Sequence, residues 1–405
     1  MAAPDDTVLI VGAGHAGDAA AAHLRQYGYQ GRIILLGEEI FAPYHRPPLS
    51  KAWLKGETDA AALTLRGADF YQRQNIDLRL NTRVHTIDRA RRQIVLADGQ
   101  TVPYSHLILA TGARPRPLAM PGAGLAHVHM LRTRSDADRL RAALRPGTDL
   151  AIIGGGYIGL EIAASARALD IAVTVIERES RLLARVASPP LAEYFQRLHT
   201  EHGVTIRLDT QIAAITPGAV RLANGAEIPA GCVVIGVGAV PNTALAEAAG
   251  LDCANGITVD ATARTADPAI FAIGDCASRP VPRYGRQLRL ESVPNALEMA
   301  KQAAAAITGR APSKPEIPWF WSDQYAARLQ IAGLLVDVAT TAYRFVSNRE
   351  KFAAFHLGAD GAPLAVEAVN AAEEFMAGRL MIARRTLPAR AALADPTIPM
   401  KTILA

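Results

Sequence analysis

One glycine pattern, GxGxxG, occurs twice in this chain and restricts the folds open to it more than any other feature. The copies are Gly12–Gly17 (GAGHAG) and Gly154–Gly159 (GGGYIG). Each follows an apolar segment typical of a buried strand, opens a helical segment and leads to a second apolar segment, which is the βαβ context that the pattern requires. The first glycine allows a tight turn, the second lets a pyrophosphate approach, and the third lets helix and strand pack. The repeat predicts an α/β fold with two Rossmann-like dinucleotide-binding domains.

An acidic residue ends the second apolar segment of each copy. Glu38 and Glu177 lie about twenty residues beyond the third glycine, where a carboxylate can bond adenosine ribose hydroxyls. Glu177 also repels a 2'-phosphate, which favours NADH over NADPH. Arg178 beside it leaves NADPH open, because an arginine there can accommodate the phosphate. Solvated strand ends are the alternative for both glutamates.

Three further strand ends point to a flavin. Ala272–Asp275 ends an apolar segment with a carboxylate beside a glycine turn, so Asp275 can bond the ribityl hydroxyls of a flavin. Thr111 and Gly112 end another apolar segment, and Gly236–Gly238 ends a third. A Gly-Asp pair after a strand is by itself only a turn, but beside two dinucleotide fingerprints the flavin interpretation is favoured.

Composition excludes several classes of protein. The 405 residues are half hydrophobic, with no apolar run long enough to span a membrane and no basic segment before the first strand. We therefore expect a soluble cytoplasmic protein of two to three domains, at about 150 residues each. The net charge of +5 is spread along the chain, which argues against a nucleic-acid protein. Neither the three cysteines nor the histidines have metal-ligand spacing, so no metal and no dithiol centre is expected.

Five segments carry a resemblance to a known family. The chain resembles the FAD-containing NADH:ferredoxin reductases of bacterial oxygenase systems, of the putidaredoxin reductase type, within the two-dinucleotide flavoprotein superfamily. The resemblance covers nearly the whole chain. The segments that carry it are Tyr44–Leu54, Gly154–Glu161, Gly274–Asp275, Leu290–Lys301 and Pro318–Tyr325.

The resemblance implies three domains. Residues 1–113 and 243–318 would form a discontinuous FAD-binding domain, and residues 114–242 an inserted NADH-binding domain. Residues 319–405 would form a C-terminal mixed α/β interface domain. Proline-rich crossings near these positions agree with the breaks.

The resemblance also implies cofactor-binding residues at matching positions. Those implied for FAD are Gly12, Gly14, Ala16, Gly17, Glu38, Arg46, Lys51, Val84, Arg134, Asp275, Val293 and Trp321, and the strand end described above adds Thr111 and Gly112. Those implied for NADH are Gly154, Gly156, Tyr157, Ile158, Gly159, Glu161, Glu177, Arg185, Gly238 and Glu291.

Lys51, Glu161 and Trp321 are the candidate catalytic residues. In such enzymes the lysine lies beside flavin N5 and bonds the helix glutamate, which meets the nicotinamide carboxamide, while Glu291 helps to orient that carboxamide. The alternatives are a surface lysine in a proline-rich loop and a glutamate that stabilises a helix N-terminus. Trp321 would lie beside the flavin where electrons leave; its alternative is an aromatic anchor of the last domain.

The expected function is that of an NADH-dependent ferredoxin reductase. Hydride would pass from NADH to FAD, and single electrons would then pass to a two-iron ferredoxin that supplies a monooxygenase or dioxygenase. Four arginines, Arg379, Arg384, Arg385 and Arg390, could guide an acidic ferredoxin. Their neighbours Glu373 and Glu374 favour a merely solvated face.

Two other functions on the same scaffold stay open. An NADH oxidase, peroxidase or disulfide reductase is disfavoured, because those relatives place a redox cysteine after the first βαβ unit and this chain has none before Cys232. A non-catalytic NADH-binding flavoprotein of the apoptosis-inducing-factor type is the second. The chain is short for that class.

Overall fold

The computed structural model describes residues 6–67, 69–347 and 350–404. Strand, helix and strand follow one another at Thr7–Leu36 and at Asp149–Ile176, as the repeated βαβ pattern predicts. The strands are β1 (Thr7–Val11), β2 (Arg32–Leu36), β3 (Ile76–Arg79), β4 (Val84–Asp88), β5 (Gln93–Leu96), β6 (Thr101–Pro103), β7 (His106–Leu109), β8 (Ala113–Pro115), β9 (Val128–His129), β10 (Asp149–Ile153), β11 (Ala172–Ile176), β12 (Val204–Arg207), β13 (Ile212–Thr216), β14 (Gly218–Leu222), β15 (Glu227–Ala230), β16 (Cys232–Ile235), β17 (Ala239–Pro241), β18 (Cys253–Ala254), β19 (Gly256–Thr258), β20 (Ile270–Ala272), β21 (Ala277–Val281), β22 (Arg286–Arg289), β23 (Trp319–Gln324), β24 (Ala327–Gly333), β25 (Thr340–Ser347), β26 (Lys351–Leu357) and β27 (Pro363–Val369).

The helices range from single turns to the long helix that begins at Val293. They are α1 (His15–Gln26), α2 (Ala52–Lys55), α3 (Ala60–Leu63), α4 (Phe70–Arg73), α5 (Arg134–Ala143), α6 (Tyr157–Arg167), α7 (Pro189–Glu201), α8 (Ala244–Ala248), α9 (Val293–Ile307), α10 (Ala372–Arg384), α11 (Arg390–Ala394) and α12 (Met400–Leu404). Short 3₁₀ turns cover Pro47–Ser50, Gly274–Cys276 and Pro282–Tyr284. Within the described ranges, no helix combines the length and the apolar character needed to cross a membrane.

The chain divides into two compact units, each built from three segments. Unit 1 comprises Met1–His45, Ala60–Arg114 and Val240–Pro318. Unit 2 comprises Arg46–Asp59, Pro115–Ala239 and Trp319–Ala405. The segment Arg46–Asp59, which the resemblance assigns to an FAD domain, groups with unit 2. The three-domain division stays a prediction.

Unit 1 is built on a five-stranded parallel sheet in the order β20-β7-β1-β2-β3. Its inner strands are continuous apolar runs because both faces of such a sheet are covered, and buried residues of β4, β5 and β6 belong to the same core. α1 packs against α9, and two smaller sheets, β4-β5-β6 and β18-β19-β21-β22, complete the unit. The order places a topological switch point between β1 and β7, where ligands bind in open α/β sheets.

Unit 2 repeats this plan and adds a second sheet. Its parallel sheet has the order β12-β11-β10-β16-β9, with a switch point between β10 and β16, and a three-stranded sheet β13-β14-β15 follows. Residues beyond Pro318 form an antiparallel sheet, β23-β24-β27-β26-β25, against which α10 packs. Two Rossmann-like cores and a mixed α/β C-terminal part confirm the predicted fold class.

Candidate functional site

The first glycine loop follows β1 at the switch point of unit 1. Gly12 has a φ of +113°, and a Cβ placed on it would lie 2.2 Å from the carbonyl oxygen of Ala110, which follows β7. A Cβ on Gly17 would lie 1.9 Å from the Gly12 oxygen. Gly14 differs, because a Cβ there meets no described atom within 4 Å and no side chain caps α1. The loop thus offers open space and backbone N–H donors at a helix N-terminus, which fits a dinucleotide pyrophosphate.

The second glycine loop reproduces this geometry in unit 2. Gly154 has a φ of +108°, and its Cβ would lie 2.5 Å from the carbonyl oxygen of Gly236, which follows β16. A Cβ on Gly159 would lie 2.5 Å from the Gly154 oxygen. Gly156 again faces open space at the uncapped start of α6. Each loop therefore has the room and the donors that one dinucleotide needs.

The two acidic strand ends differ in their surroundings. Glu38 is 69% exposed and lies 3.5 Å from Arg83. The Glu177 carboxylate instead accepts hydrogen bonds from the backbone N–H of Gly155, at 2.7 Å, and of Glu179, at 3.0 Å. Glu177 therefore braces the second glycine loop, a contact that the sequence did not predict. Arg178 is exposed and pairs with Glu179 at 3.0 Å.

The other predicted FAD residues of unit 1 lie at strand and helix ends. The Thr111 hydroxyl donates to the Asn242 carbonyl at 2.7 Å, and the Asn242 amide donates to the Thr111 carbonyl at 2.8 Å, which fixes the turn that contains Gly112. Asp275 lies in the turn after β20, where a Cβ on Gly274 would approach Ala16 to 3.0 Å.

Three further predicted residues lie elsewhere in unit 1. Val84 is buried in β4. Val293 opens α9, whose N-cap Ser292 accepts from the Asn295 N–H at 3.2 Å. Glu291 pairs with Arg289.

Lys51 and Glu161 form an ion pair in unit 2. The Lys51 ammonium lies 2.5 Å from Glu161 Oε2, and the side chains are 21% and 3% exposed. The Ser50 hydroxyl donates to the same oxygen at 2.5 Å, whereas the Ser322 hydroxyl donates to Oε1 at 2.6 Å. Glu161 is the fifth residue of α6, and the partners of its carboxylate, Ser50, Lys51 and Ser322, lie outside that helix. Ser50 and Ser322 were not among the predicted residues, although each is a sequence neighbour of one.

The predicted FAD arginines of unit 2 are held by their neighbours. Arg46 donates to the Arg132 carbonyl at 2.6 Å. The Arg134 guanidinium lies 4.8 Å from the centre of the Trp53 ring, and the Trp53 indole donates to Asp138 at 2.8 Å.

Four more of the residues predicted to bind NADH lie in unit 2, namely Tyr157, Ile158, Arg185 and Gly238. The Tyr157 ring lies 4.7 Å from that of Phe320, and burial raises the pKa of the Tyr157 phenol. Ile158 is 48% exposed. A Cβ on Gly238 would lie 3.6 Å from the Arg185 guanidinium, so these two residues are close together.

Trp321 lies two residues after Trp319 on β23, so both side chains share one face of the sheet. Their ring centres are 5.5 Å apart, and Trp319 also lies 5.7 Å from the Arg379 guanidinium. Glu374, one of the two glutamates that favoured a solvated face around the arginines, is buried and pairs with Arg344 at 3.4 Å, so it is not part of such a face. Its position on α10 turns it toward the antiparallel sheet. Glu373, Arg384, Arg385 and Arg390 are exposed.

The three cysteines are unsuited to thiolate chemistry. Burial raises the pKa of Cys232 to about 12 and that of Cys253 to about 11, and burial also raises the pKa of Cys276. A raised pKa keeps a thiol protonated and unreactive near neutral pH. Among the described residues there is no cluster of histidine, cysteine and carboxylate side chains suited to a metal ion.

Two Rossmann-like cores, each with a glycine loop at its switch point, define a class of protein that binds two dinucleotides. The chain belongs to the pyridine nucleotide-disulphide oxidoreductase family, whose sequence profile matches residues 6–300, and a reductase C-terminal profile matches residues 319–404.

Individual relatives narrow this class. The "Probable ferredoxin reductase CtmF" of Castellaniella defragrans is 49% identical, covering 98% of this chain and 99% of the relative. Putidaredoxin reductase CamA of Pseudomonas putida is 41% identical over 99% of this chain and 97% of its own. The crystal structure of the covalent putidaredoxin reductase-putidaredoxin complex matches with a TM-score of 0.96 and 41% identity, covering 99% of both chains. The resemblance to the putidaredoxin-type reductases is confirmed, and the chain is an oxidoreductase.

Proposed function

We propose that this protein is a cytoplasmic NADH-dependent ferredoxin reductase, which catalyses hydride transfer from NADH to FAD and single-electron transfer to a two-iron ferredoxin. That ferredoxin would supply a monooxygenase or dioxygenase. The names of the full-length relatives support this function, as does the presence of two glycine loops of matching geometry. The ion pair between the half-buried Lys51 and the buried Glu161 is the observation that carries it.

Both cofactors fit the residues present. FAD would be held by the loop of Gly12 and Gly14 in unit 1, and NADH by the loop of Gly154 and Gly156 in unit 2. When bound, the nicotinamide supplies a hydride and the flavin accepts it and releases single electrons. The protein then has to bind the two rings, orient them and exclude water.

Lys51 and Glu161 are suited to orientation at the reacting rings. The lysine offers a cation with three N–H donors, and the carboxylate offers acceptors for the carboxamide of a nicotinamide. Each charge reduces the cost of burying the other, because an isolated buried charge is strongly unfavourable. Glu161, which is only 3% exposed, would thus stay available as an acceptor.

Glu177 supports a preference for NADH. Its carboxylate is held against the second glycine loop by the Gly155 N–H at 2.7 Å, and in a dinucleotide-binding site this charge would repel a 2'-phosphate. Arg178 pairs with Glu179 at 3.0 Å, and that pairing competes with phosphate binding.

The three cysteines disfavour the disulfide reductase alternative. Their raised pKa values leave few thiolates near neutral pH, and a thiolate is the nucleophile of disulfide chemistry.

The test is NADH-driven reduction of cytochrome c by the purified yellow protein, with and without a two-iron ferredoxin from the same cell. We expect the rate to depend strongly on added ferredoxin. A matched reaction with NADPH checks the nucleotide preference.

Two outcomes would contradict the proposal in different ways. If NADH bleaches the flavin but ferredoxin adds nothing to cytochrome c reduction, the protein is an oxidase or an NADH-gated binding protein. If NADH leaves the flavin absorbance unchanged, the cofactor assignment itself is wrong.

A further inference from the structure

A chain of four hydrogen bonds in unit 2 ends on the Glu161 carboxylate. Starting from its far end, the Tyr325 hydroxyl lies 3.3 Å from His199 Nδ1, and His199 Nε2 lies 2.8 Å from Gln324 Oε1. The Gln324 side-chain amide donates to the Ser322 hydroxyl at 3.1 Å, and Ser322 donates to Glu161 Oε1 at 2.6 Å. These hydrogen bonds connect helices α6 and α7 with strand β23.

The acceptor groups determine which side chain donates and which accepts in each of these hydrogen bonds. A carboxylate only accepts, so Ser322 gives its single proton to Glu161 and accepts from the amide nitrogen of Gln324. The amide oxygen of Gln324 therefore faces His199, which requires the proton of a neutral imidazole on Nε2. His199 Nδ1 is then free to accept from Tyr325. Burial lowers the pKa of His199 to about 4, which agrees with a neutral ring.

Burial makes the loss of any one of these hydrogen bonds costly. Ser322, His199, Gln324 and Glu161 are all buried. In such surroundings, loss of one partner leaves a polar group without the water that would replace it. The four side chains therefore stabilise one another in a single arrangement.

The two carboxylate oxygens of Glu161 accept hydrogen bonds from different numbers of donors. Oε2 accepts from both Lys51 and Ser50, whereas Ser322 is the one donor to Oε1 among the residues that the structure describes. The terminal torsion of a glutamate is otherwise broad. Ser322 is therefore the contact that fixes the rotation of the carboxylate plane.

We propose that Ser322, held by Gln324 and His199, is a positioning residue that sets the orientation of Glu161 and, through it, of Lys51. This role rests on the proposed function, in which Lys51 and Glu161 orient the reacting rings. The proposal leaves the substrate class and the reaction as proposed above. It adds the residue that orients the Glu161 carboxylate.

The test compares Ser322→Ala with Ser188→Ala in the FAD-loaded enzyme under anaerobic conditions. Ser188 is a buried serine of unit 2 whose hydroxyl has no hydrogen-bond partner among the described residues, so it controls for loss of a buried hydroxyl. In Ser322→Ala we expect the rate of flavin reduction at saturating NADH to fall about tenfold, the loss typical of one hydrogen bond to a charged group. The NADH concentration for half-saturation should change little, and Ser188→Ala should match wild type.

A second variant reports on the rest of the chain. Gln324→Leu keeps the Ser322 hydroxyl but removes the amide that orients it, so we expect a rate between those of wild type and Ser322→Ala. FAD content and the unfolding midpoint are measured for every variant. A Ser322→Ala enzyme that retains FAD and is reduced at the wild-type rate would overturn the proposal.

An independent measurement uses the wild-type protein alone. Nitrogen-15 NMR of histidine-labelled protein reports the tautomer of each imidazole, with the His199 signal identified by its absence in a His199→Gln variant. We expect the Nε2–H form, and an Nδ1–H form would overturn the hydrogen-bond direction.

The kinetic and spectroscopic results also separate this proposal from the function on which it rests. Wild-type protein that NADH fails to reduce would refute the proposed function and the positioning role together. Wild-type protein that NADH reduces, combined with an unaffected Ser322→Ala, refutes the positioning role alone.

Discussion

At the scale of single residues, the Lys51–Glu161 pair shows how two distant parts of the chain acquire a joint role. Lys51 follows a 3₁₀ turn rich in proline, and Glu161 lies on α6, yet the two charges are 2.5 Å apart. Neither local propensity nor hydrophobic pattern predicts that contact. The family resemblance predicted it, and the geometry of the pair agrees.

Replacement of Lys51 by methionine tests the role of the ammonium. Methionine keeps an unbranched side chain but removes the charge and its N–H donors, so we expect flavin reduction by NADH to slow by about tenfold or more. FAD should remain bound. Stopped-flow absorbance measures the rate, and Lys55→Met is the matched control, because Lys55 pairs with Glu57 instead. Wild-type reduction kinetics in Lys51→Met would refute this role.

Glu177→Gln tests the nucleotide preference. Glutamine keeps an oxygen that can accept from the Gly155 N–H but removes the charge that repels a 2'-phosphate. We expect the ratio of kcat/KM for NADH to that for NADPH to fall about tenfold, as for one repulsive contact in a partly exposed site. Steady-state kinetics with both nucleotides measures it.

A second variant separates the two charged groups at this strand end. Glu179→Gln releases Arg178 from its ion pair while leaving Glu177 charged. A shift toward NADPH in that variant only, with none in Glu177→Gln, would assign the preference to Arg178.

At the scale of elements, strands β1 and β10 begin and end where the apolar segments TVLIV and DLAII do. They are predictable because a parallel strand buried on both faces needs a continuous apolar run bounded by polar residues and glycine. Ser50, Ser322 and His199 were not predictable in this way. Their partners on α6 and β23 lie far away in the sequence, and a single buried polar residue gives no periodic signal.

Matched glycine substitutions distinguish the two loops. A Cβ on Gly14 or Gly156 meets open space, so both alanine variants should fold with near wild-type unfolding midpoints. The added methyl group would nevertheless occupy the approach of a pyrophosphate. We expect Gly14→Ala to lose most of its FAD, and Gly156→Ala to keep FAD but need about tenfold more NADH for half-saturation.

Flavin absorbance per protein and an NADH titration measure these effects. Gly12→Ala serves as the contrast, since its Cβ would collide with the Ala110 oxygen at 2.2 Å and should destabilise the fold itself. Equal FAD content in Gly14→Ala and wild type would contradict the assignment of the first loop.

At the scale of the whole molecule, charge affects the transfer of electrons to a ferredoxin. The chain carries a net charge of +5, and Arg384, Arg385 and Arg390 are exposed near its C-terminal end. An excess of this size permits an acidic partner without requiring one, and any long-range attraction between the two would be screened by salt. Glu374 is buried, so its negative charge does not lie on the surface near the C-terminal end.

Ionic strength should therefore act on one half of the reaction only. Between about 10 mM and 150 mM salt the Debye length falls from about 30 Å to about 8 Å, so we expect ferredoxin reduction to slow several-fold. The rate of flavin reduction by NADH, measured without ferredoxin, is the internal control and should change little. Ferredoxin reduction that is indifferent to salt would remove electrostatic docking from the proposed function.

The raised pKa values of the three cysteines have a consequence for how long such an enzyme lasts. A flavoprotein that feeds an oxygenase works in the presence of oxygen, and peroxide attacks thiolates far faster than thiols. With the pKa of Cys232 at about 12 and that of Cys253 at about 11, these sulfurs stay protonated, and Cys276 is fully buried. We expect peroxide concentrations that inactivate thiol-dependent reductases to spare this protein, so its working lifetime would be limited by its flavin and its fold and not by its sulfur.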